Sequence, residues 1–196
     1  IHTEKLVLKM TWCAPIQTLF TCGGLSSGMI IAWKVTIEGQ NNTLFCRKIA
    51  TLKGHSDVVT DLLSVVKMRG THVDFCCLVS CSLDKKVIVW DTETYTIKGK
   101  RTGHKRGVRS LGLVSGTNDG CLVLSSGFDS VVLLWEVGGL ADKPLMRLTG
   151  HIAPVVQARM HSDGRLVSVD DLCIIKWWHV GSNFSDNNNA ECIQTV

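Results

Sequence analysis

Three Gly-His dipeptides, Gly54-His55, Gly103-His104 and Gly150-His151, set their histidines 49 and 47 residues apart. Each is followed by an apolar run that closes on tryptophan: VIVWDT to Trp90, VVLLWEV to Trp135 and IIKWWHV to Trp178. An earlier run, MIIAWKV, closes on Trp33 with no Gly-His before it. A unit of this length is one supersecondary element, and it can bury its apolar face only against a neighbouring copy. The chain must therefore fold as an array.

The content of each unit predicts strands. After His55 come VVTDLLSVV, a turn-like MRGTHVD and FCCLVSCS; after His104 come VRSLGLV, SGTNDG and CLVLSSG; after His151 come VVQARMH, SDG and RLVSV. One more short run precedes each Gly-His: FCRKIATL, TYTIKGKR and PLMRLT. Four short strands per unit, punctuated by Gly, Asn and Asp, predict a meandering antiparallel sheet. No window sustains a helical period. The fold class is all-β.

Gly-His, three strands and a closing Trp-Asp resemble the WD40 repeat, the unit of a β-propeller. The resemblance covers nearly the whole chain. It implies about four blades of four-stranded antiparallel sheet: residues 1–49 as a partial first blade plus a linking outer strand, 50–98, 99–144, and 145–196 with a terminal outer strand. Propellers of this kind usually close with about seven blades, so an incomplete ring, a fragment of a larger propeller, is expected.

The resemblance also assigns a structural tetrad to each blade: the Gly-His histidine, a second-strand Ser or Thr, a turn Asp and the third-strand Trp. His55, Ser80, Asp84 and Trp90 match it, as do His104, Ser125, Asp129 and Trp135. In both sets Ser and Asp stand ten and six residues before the tryptophan. The next unit offers His151, Ser168 and Trp178, but Leu172 occupies the Asp position, with Asp170 and Asp171 slightly early. That register makes Trp178 the blade tryptophan and sends Trp177 to the opposite face. In the first unit Gly23 and Ser27 fall where Ser and Asp belong, so its polar lock is expected to be missing.

Other chemistries find little support. No apolar run approaches the roughly 18 residues that span a bilayer, and IHTEKLVLKM has neither a basic n-region nor a small-residue cleavage site. The nine cysteines form no Cys-x-x-Cys pair, and most lie in apolar runs. They are expected as reduced thiols in a cytosolic compartment rather than zinc ligands. His2, His72, His161 and His179 lack metal-ligand spacing, and neither a phosphate-cradling loop nor an EF-hand is present. No metal or cofactor is expected. GLSSG, residues 24–28, matches a serine-hydrolase elbow by pattern, yet it falls on a blade turn instead of the strand-turn-helix that chemistry needs.

What remains is recognition. The resemblance implies a non-enzymatic protein–protein interaction scaffold contacting other proteins through its loop face. The candidate contact residues follow the three histidines: Ser56, Asp57 and Val58; Lys105, Arg106, Gly107 and Arg109; Ile152, Ala153 and Pro154. The stretch 98–109, with Lys98, Lys100, Arg101, Lys105, Arg106 and Arg109, is the one concentration of positive charge in a chain of net charge +4. It reads as a solvated loop and edge strand, or as a patch for an acidic partner. Nucleic acid is disfavoured because the tryptophans are committed to blade cores. The alternatives are an electropositive-loop binder of nucleic acid or anionic lipid, and a substrate-receptor subunit of a multi-protein enzyme complex. LKGHSDVVTDLLSV, LVSCSLDKKVIVWDTET and TGHKRGVRSLGL also resemble long, EF-hand-associated WD-repeat proteins of ciliated or flagellated cells. That implies a cytoplasmic or cilium-associated location.

Overall fold

A computed structural model of the chain describes residues 6–23, 28–38, 43–114, 121–139, 141–161, 164–180 and 190–196. Their strands form four sheets of four, and in every sheet the spatial order is the chain order. The first holds β1 (Val7–Cys13), β2 (Thr18–Gly23), β3 (Met29–Glu38) and β4 (Thr43–Lys53). The second holds β5 (Val59–Arg69), β6 (His72–Ser82), β7 (Lys86–Asp91) and β8 (Ile97–Thr102). The third holds β9 (Val108–Val114), β10 (Leu122–Gly127), β11 (Val132–Glu136) and β12 (Met146–Leu148). The fourth holds β13 (Val155–Met160), β14 (Leu166–Asp170), β15 (Ile175–Val180) and β16 (Ala190–Thr195). All pairings are antiparallel.

Interior strands are apolar at consecutive positions because both faces of a sheet are covered. In β7, Ile88 and Trp90 join Phe20, Ile30 and Ala32 of the first sheet in one core cluster. Val87 and Val89, on the other face, join Leu111 and Val123 of the third. Leu124, Val132 and Leu134 likewise meet Ala158, Leu166 and Trp178 of the fourth. The opening strands line the centre: β1 packs against β5, β5 against β9, and β9 against β13. The sheets are thus successive blades, stacked face to face.

The arc does not close. Among the described residues β13 and β1 make no such packing, and the exposure of equivalent residues shows the consequence. Leu62, Leu111 and Ala158 stand opposite Ser80, Ser125 and Ser168 in their ladders. They are 6%, 2% and 2% exposed, whereas Met10, opposite Thr21, is 69% exposed. Trp12 beside it is also exposed. At the other end Ile175 is exposed and Trp177 half-buried, with the Arg165 guanidinium over the Trp177 ring.

One turn is repeated between the second and third strands. Lys85, Ser130 and Cys173 each stand five residues before a blade tryptophan and adopt φ of 71°, 62° and 62°. Each donates its N–H to the carbonyl three residues earlier, on Ser82, Gly127 and Asp170. Gly28 holds the same place before Trp33 with φ 32°.

Candidate functional site

The polar residues singled out in the sequence converge at the loop end of the blades. In the second blade His55 Nδ1 lies 2.9 Å from Asp84 Oδ2, His55 Nε2 lies 2.8 Å from Ser80 Oγ, and Trp90 Nε1 donates to Ser80 Oγ at 2.8 Å. The third blade repeats the set: His104 to Asp129 at 2.9 Å, His104 to Ser125 at 2.7 Å, and Trp135 to Ser125 at 2.7 Å. The two ends fix the direction of the chain. An indole N–H can only donate and a carboxylate only accept. A neutral imidazole therefore gives its Nδ1 proton to the Asp, takes the Ser O–H at Nε2, and leaves the Ser oxygen free to accept the indole N–H. Every member is then satisfied, as a buried network requires.

Asp–His–Ser in this order has the connectivity of a hydrolytic triad, but here the nucleophile position is closed. Ser80 and Ser125 are 0% exposed and each hydroxyl is capped by an indole. The elbow-like segment at 24–27 lies outside the described residues.

The glycine before His55 and before His104 has a steric reason, whereas Gly150 before His151 is set by its φ of 135°. A methyl on Gly54 would sit 2.8 Å from Trp90 Cη2, and one on Gly103 would sit 2.9 Å from Trp135 Cη2. The indole lies flush on the backbone that enters the loop.

The fourth blade completes its set with Asp170, not with the residue at the Leu172 position. His151 Nδ1 is 2.8 Å from Asp170 Oδ2, His151 Nε2 is 2.7 Å from Ser168 Oγ, and Trp178 donates to Ser168 at 2.8 Å. The reason is visible in the third blade. A methyl on Gly127, two residues after Ser125, would lie 2.6 Å from His104 Nδ1 and 2.7 Å from Asp129 Oδ1. A side chain branching there enters the space where carboxylate meets imidazole. Asp170 has that place in the fourth blade, so the same carboxylate position is reached from two residues earlier, and Leu172 turns outward, 59% exposed. Asp170 Oδ1 accepts from the turn N–H groups of Leu172 and Ile174, both at 3.0 Å.

In the first blade the expected register needs correction. Thr21 pairs with Ile31 as Ser80 pairs with Ile88, so Thr21 and not Gly23 is the counterpart of the tetrad serine. Trp33 Nε1 donates to Thr21 Oγ1 at 2.9 Å, so the indole half of the lock survives. Twelve residues instead of ten separate the pair, which hid Thr21 from the spacing rule. At Gly23 a methyl would lie 1.9 Å from the Leu6 carbonyl oxygen, so backbone fills the space an imidazole takes elsewhere.

The locks act electrostatically as well as sterically. Burial pushes the Asp84 carboxyl up, but the hydrogen bond and field of His55 and the N–H groups of Ser56 and Lys86 outweigh it and hold the group at about 2. Asp129 and Asp170 are also lowered, with burial opposed by the hydrogen bonds of His104 and His151 respectively.

Each lock also immobilises what lies beside it. Asp84 and Asp129 accept the N–H of the first loop residue, from Ser56 at 3.0 Å and Lys105 at 2.7 Å. The turn is clamped to the same loop by Leu83 N–H to Val58 O, Phe128 N–H to Gly107 O and Asp171 N–H to Pro154 O. Loop and turn therefore form one rigid tip per blade. Ser56, Asp57, Lys105, Arg106 and Ile152 are exposed on these tips, Val58, Gly107 and Pro154 are half-buried, and Ala153 is buried. Leu83, Lys85 and Leu172 are exposed beside them, contributed by the turns and invisible to a rule that counted only from the histidine.

The positive stretch is divided by the fold. Lys98 and Lys100 are on the outer strand β8, and Lys98 lies over the Phe75 ring. Arg101 is buried, donating to the carbonyls of Gly139 and Glu136. Arg109 pairs with Asp171 at 2.5 Å across the junction of the third and fourth blades. Lys105 and Arg106 are the cations of this stretch exposed on the loop face.

The WD domain, G-beta repeat family matches residues 46–91 and 95–136. Among curated relatives, the cilia- and flagella-associated protein 337 B of Tetrahymena thermophila is 25% identical over 70% of this chain and 10% of its own length. The transcriptional corepressor LEUNIG_HOMOLOG of Arabidopsis thaliana is 25% identical over 81% of the chain and 20% of its own. The small ribosomal subunit protein RACK1 of Brassica napus is 33% identical over 44% of the chain and 25% of its own. The chain thus spans a quarter or less of the length of these relatives. Residues 46–91 and 95–136 thus match two WD40 repeats, and the four four-stranded antiparallel sheets are consistent with blades of an unclosed β-propeller of that type.

Proposed function

We propose that the chain is a non-enzymatic protein-interaction scaffold that engages its partners through the loop face of its second to fourth blades. The observation that carries this reading is the rigid tip. Each tip is tied to a buried lock, and it presents apolar Leu83, Ile152 and Leu172 next to charged Asp57, Lys85, Lys105 and Arg106. Groups already ordered lose little freedom on binding, so an interface built on them costs less to form. A central apolar contact with a polar rim is the usual anatomy of a protein interface. Function on such a scaffold resides in the site carried by the fold.

Lys105 and Arg106 favour an acidic segment on the partner. With Arg101 and Arg109 engaged internally, the loop face carries too few free cations of this stretch to hold a nucleic-acid backbone. The similarity to a cilia- and flagella-associated protein supports a cytoplasmic partner at or near a cilium.

The test is affinity capture from ciliated cells, comparing the wild-type chain with Ile152→Asp and with Lys105→Glu/Arg106→Glu. Circular dichroism and thermal midpoint should be unchanged in the variants. Loss of the same captured proteins from both supports the loop face; an unchanged set refutes it. Binding that collapses steeply with salt and survives Ile152→Asp would favour nucleic acid or anionic lipid instead.

A further inference from the structure

Cys13 closes β1 and Cys76 lies in β6, so they belong to neighbouring blades, yet their sulfurs are 3.2 Å apart. One S–H is directed at the other sulfur. A disulfide requires about 2.05 Å between the sulfurs, so closure of about 1.2 Å suffices. Cys13 is fully buried, while Cys76 is half-buried. Among the described residues no cluster of three His, Cys, Asp or Glu side chains is placed to hold a metal, so the pair does not belong to a metal site.

We propose that Cys13 and Cys76 are a redox-responsive pair, closing under peroxide into a reversible disulfide that staples the first blade to the second. A peroxide oxidises the thiolate of the pair, breaking the O–O bond to leave a sulfenic acid and hydroxide. The second sulfur then displaces the sulfenic hydroxyl, which leaves as water. In sum two thiols and one hydrogen peroxide give one disulfide and two waters, with two electrons passing from sulfur to oxygen. A dithiol reductant reverses the step.

The surroundings select this pair. The hydrogen bond between them lowers the Cys13 thiol against its burial and raises Cys76 in turn. Cys13 is thus the sulfur of the pair that ionises first, and the thiolate is the reactive form. Burial pushes neighbouring Cys22 and Cys77 up to about 12, which keeps both protonated.

The location gives the bond a purpose. Among its described residues the first blade has only the Thr21–Trp33 half of a lock, and its free face exposes Met10 and Trp12. It is held to the second blade by the shared apolar cluster, by the Ser64 N–H to Thr11 Oγ1 at 3.2 Å, and by Lys9 near Asp61. A covalent link at this junction fastens a blade whose described residues form half of a lock.

The reduced chain should be treated with dilute hydrogen peroxide under native conditions, then alkylated and digested with trypsin without reduction. The expected result is the loss of two free thiols from the nine. A linked species should join peptides Met10–Lys34 and Gly70–Lys85, with fragmentation assigning the bond to Cys13 and Cys76. The thermal midpoint should rise on the order of 10 °C and return with dithiothreitol. In Cys76→Ser, peroxide should yield neither the linked species nor the rise. Should that variant not fold, the wild-type linkage and midpoint decide alone. Nine thiols unchanged, a bond to Cys77 or Cys81, over-oxidation without linkage, or a linked chain with no rise would each overturn the proposal.

Discussion

Replacing Ser80 with Ala tests whether the buried relay, rather than apolar packing alone, holds a blade. Among the described residues Ser80 Oγ is the single partner of two buried groups, His55 Nε2 and Trp90 Nε1, both at 2.8 Å. Ser80 is 0% exposed, Trp90 1%, and the His55 side chain 0%, so water does not replace the hydroxyl. An unsatisfied buried polar group costs about 1–3 kcal/mol, so two cost about 2–6 kcal/mol. Thr21→Val in the first blade is the internal control. It removes one acceptor from Trp33, which is half-buried and can turn its N–H to solvent. The loss there should be no more than the net value of one hydrogen bond, about 0.5–1.5 kcal/mol. Urea titrations followed by tryptophan fluorescence measure both, and equal m-values show that the same surface is exposed on unfolding. For a chain of this size each kcal/mol corresponds to about 2–4 °C in midpoint, so calorimetry should separate the variants clearly. If Ser80→Ala loses no more than Thr21→Val, the relay contributes nothing beyond packing and the reasoning fails.

Three other outcomes are expected. Asp84 is held at about 2, below its usual 3.8, so its contribution of about 2 kcal/mol is complete above about pH 5 and lost as pH falls toward 2. Unfolding free energies at pH 5 and pH 2.5 should therefore converge between wild type and Asp84→Asn, and parallel pH profiles would count against the assignment. In the fourth blade, Asp170→Gly should destabilise by about 1–3 kcal/mol. Adding Leu172→Asp should recover most of it, because Gly-x-Asp is the third blade's arrangement; denaturant midpoints of the single and double variants decide. Ser130→Gly relieves a left-handed residue that costs about 1 kcal/mol, offset in part by the unfolded-state freedom of glycine. Its midpoint should rise slightly, and a fall would show that the Ser130 side chain matters.

Much of the candidate site could be read from spacing because the blades are rigid copies of one turn. Ser and Asp ten and six residues before tryptophan return the same three hydrogen bonds, within 0.1 Å, in the second and third blades. The rule failed where the geometry can be met in two ways. A strand alternates its side chains, so a residue two places earlier can aim at the same point, and Asp170 does so. It failed again at Thr21, where two extra residues in the turn shift the count while the ladder still pairs Thr21 with Ile31. The turn contributions Leu83 and Leu172, the commitment of Arg101 and Arg109, and the burial of Ala153 had no trace in the one-dimensional pattern. Each depends on which neighbouring segment covers the side chain.

Local chemistry along the chain therefore determined the repeat, the strands, the turn positions and the identity of most lock residues, because each of these is settled within a few residues of backbone. Only the tertiary arrangement decided which cations remain free on the loop face, which carboxylate meets His151, that the arc leaves Met10 uncovered, and that Cys13 meets Cys76. Those outcomes depend on how one blade packs upon the next, and contacts between segments tens of residues apart leave no mark on the spacing within either one.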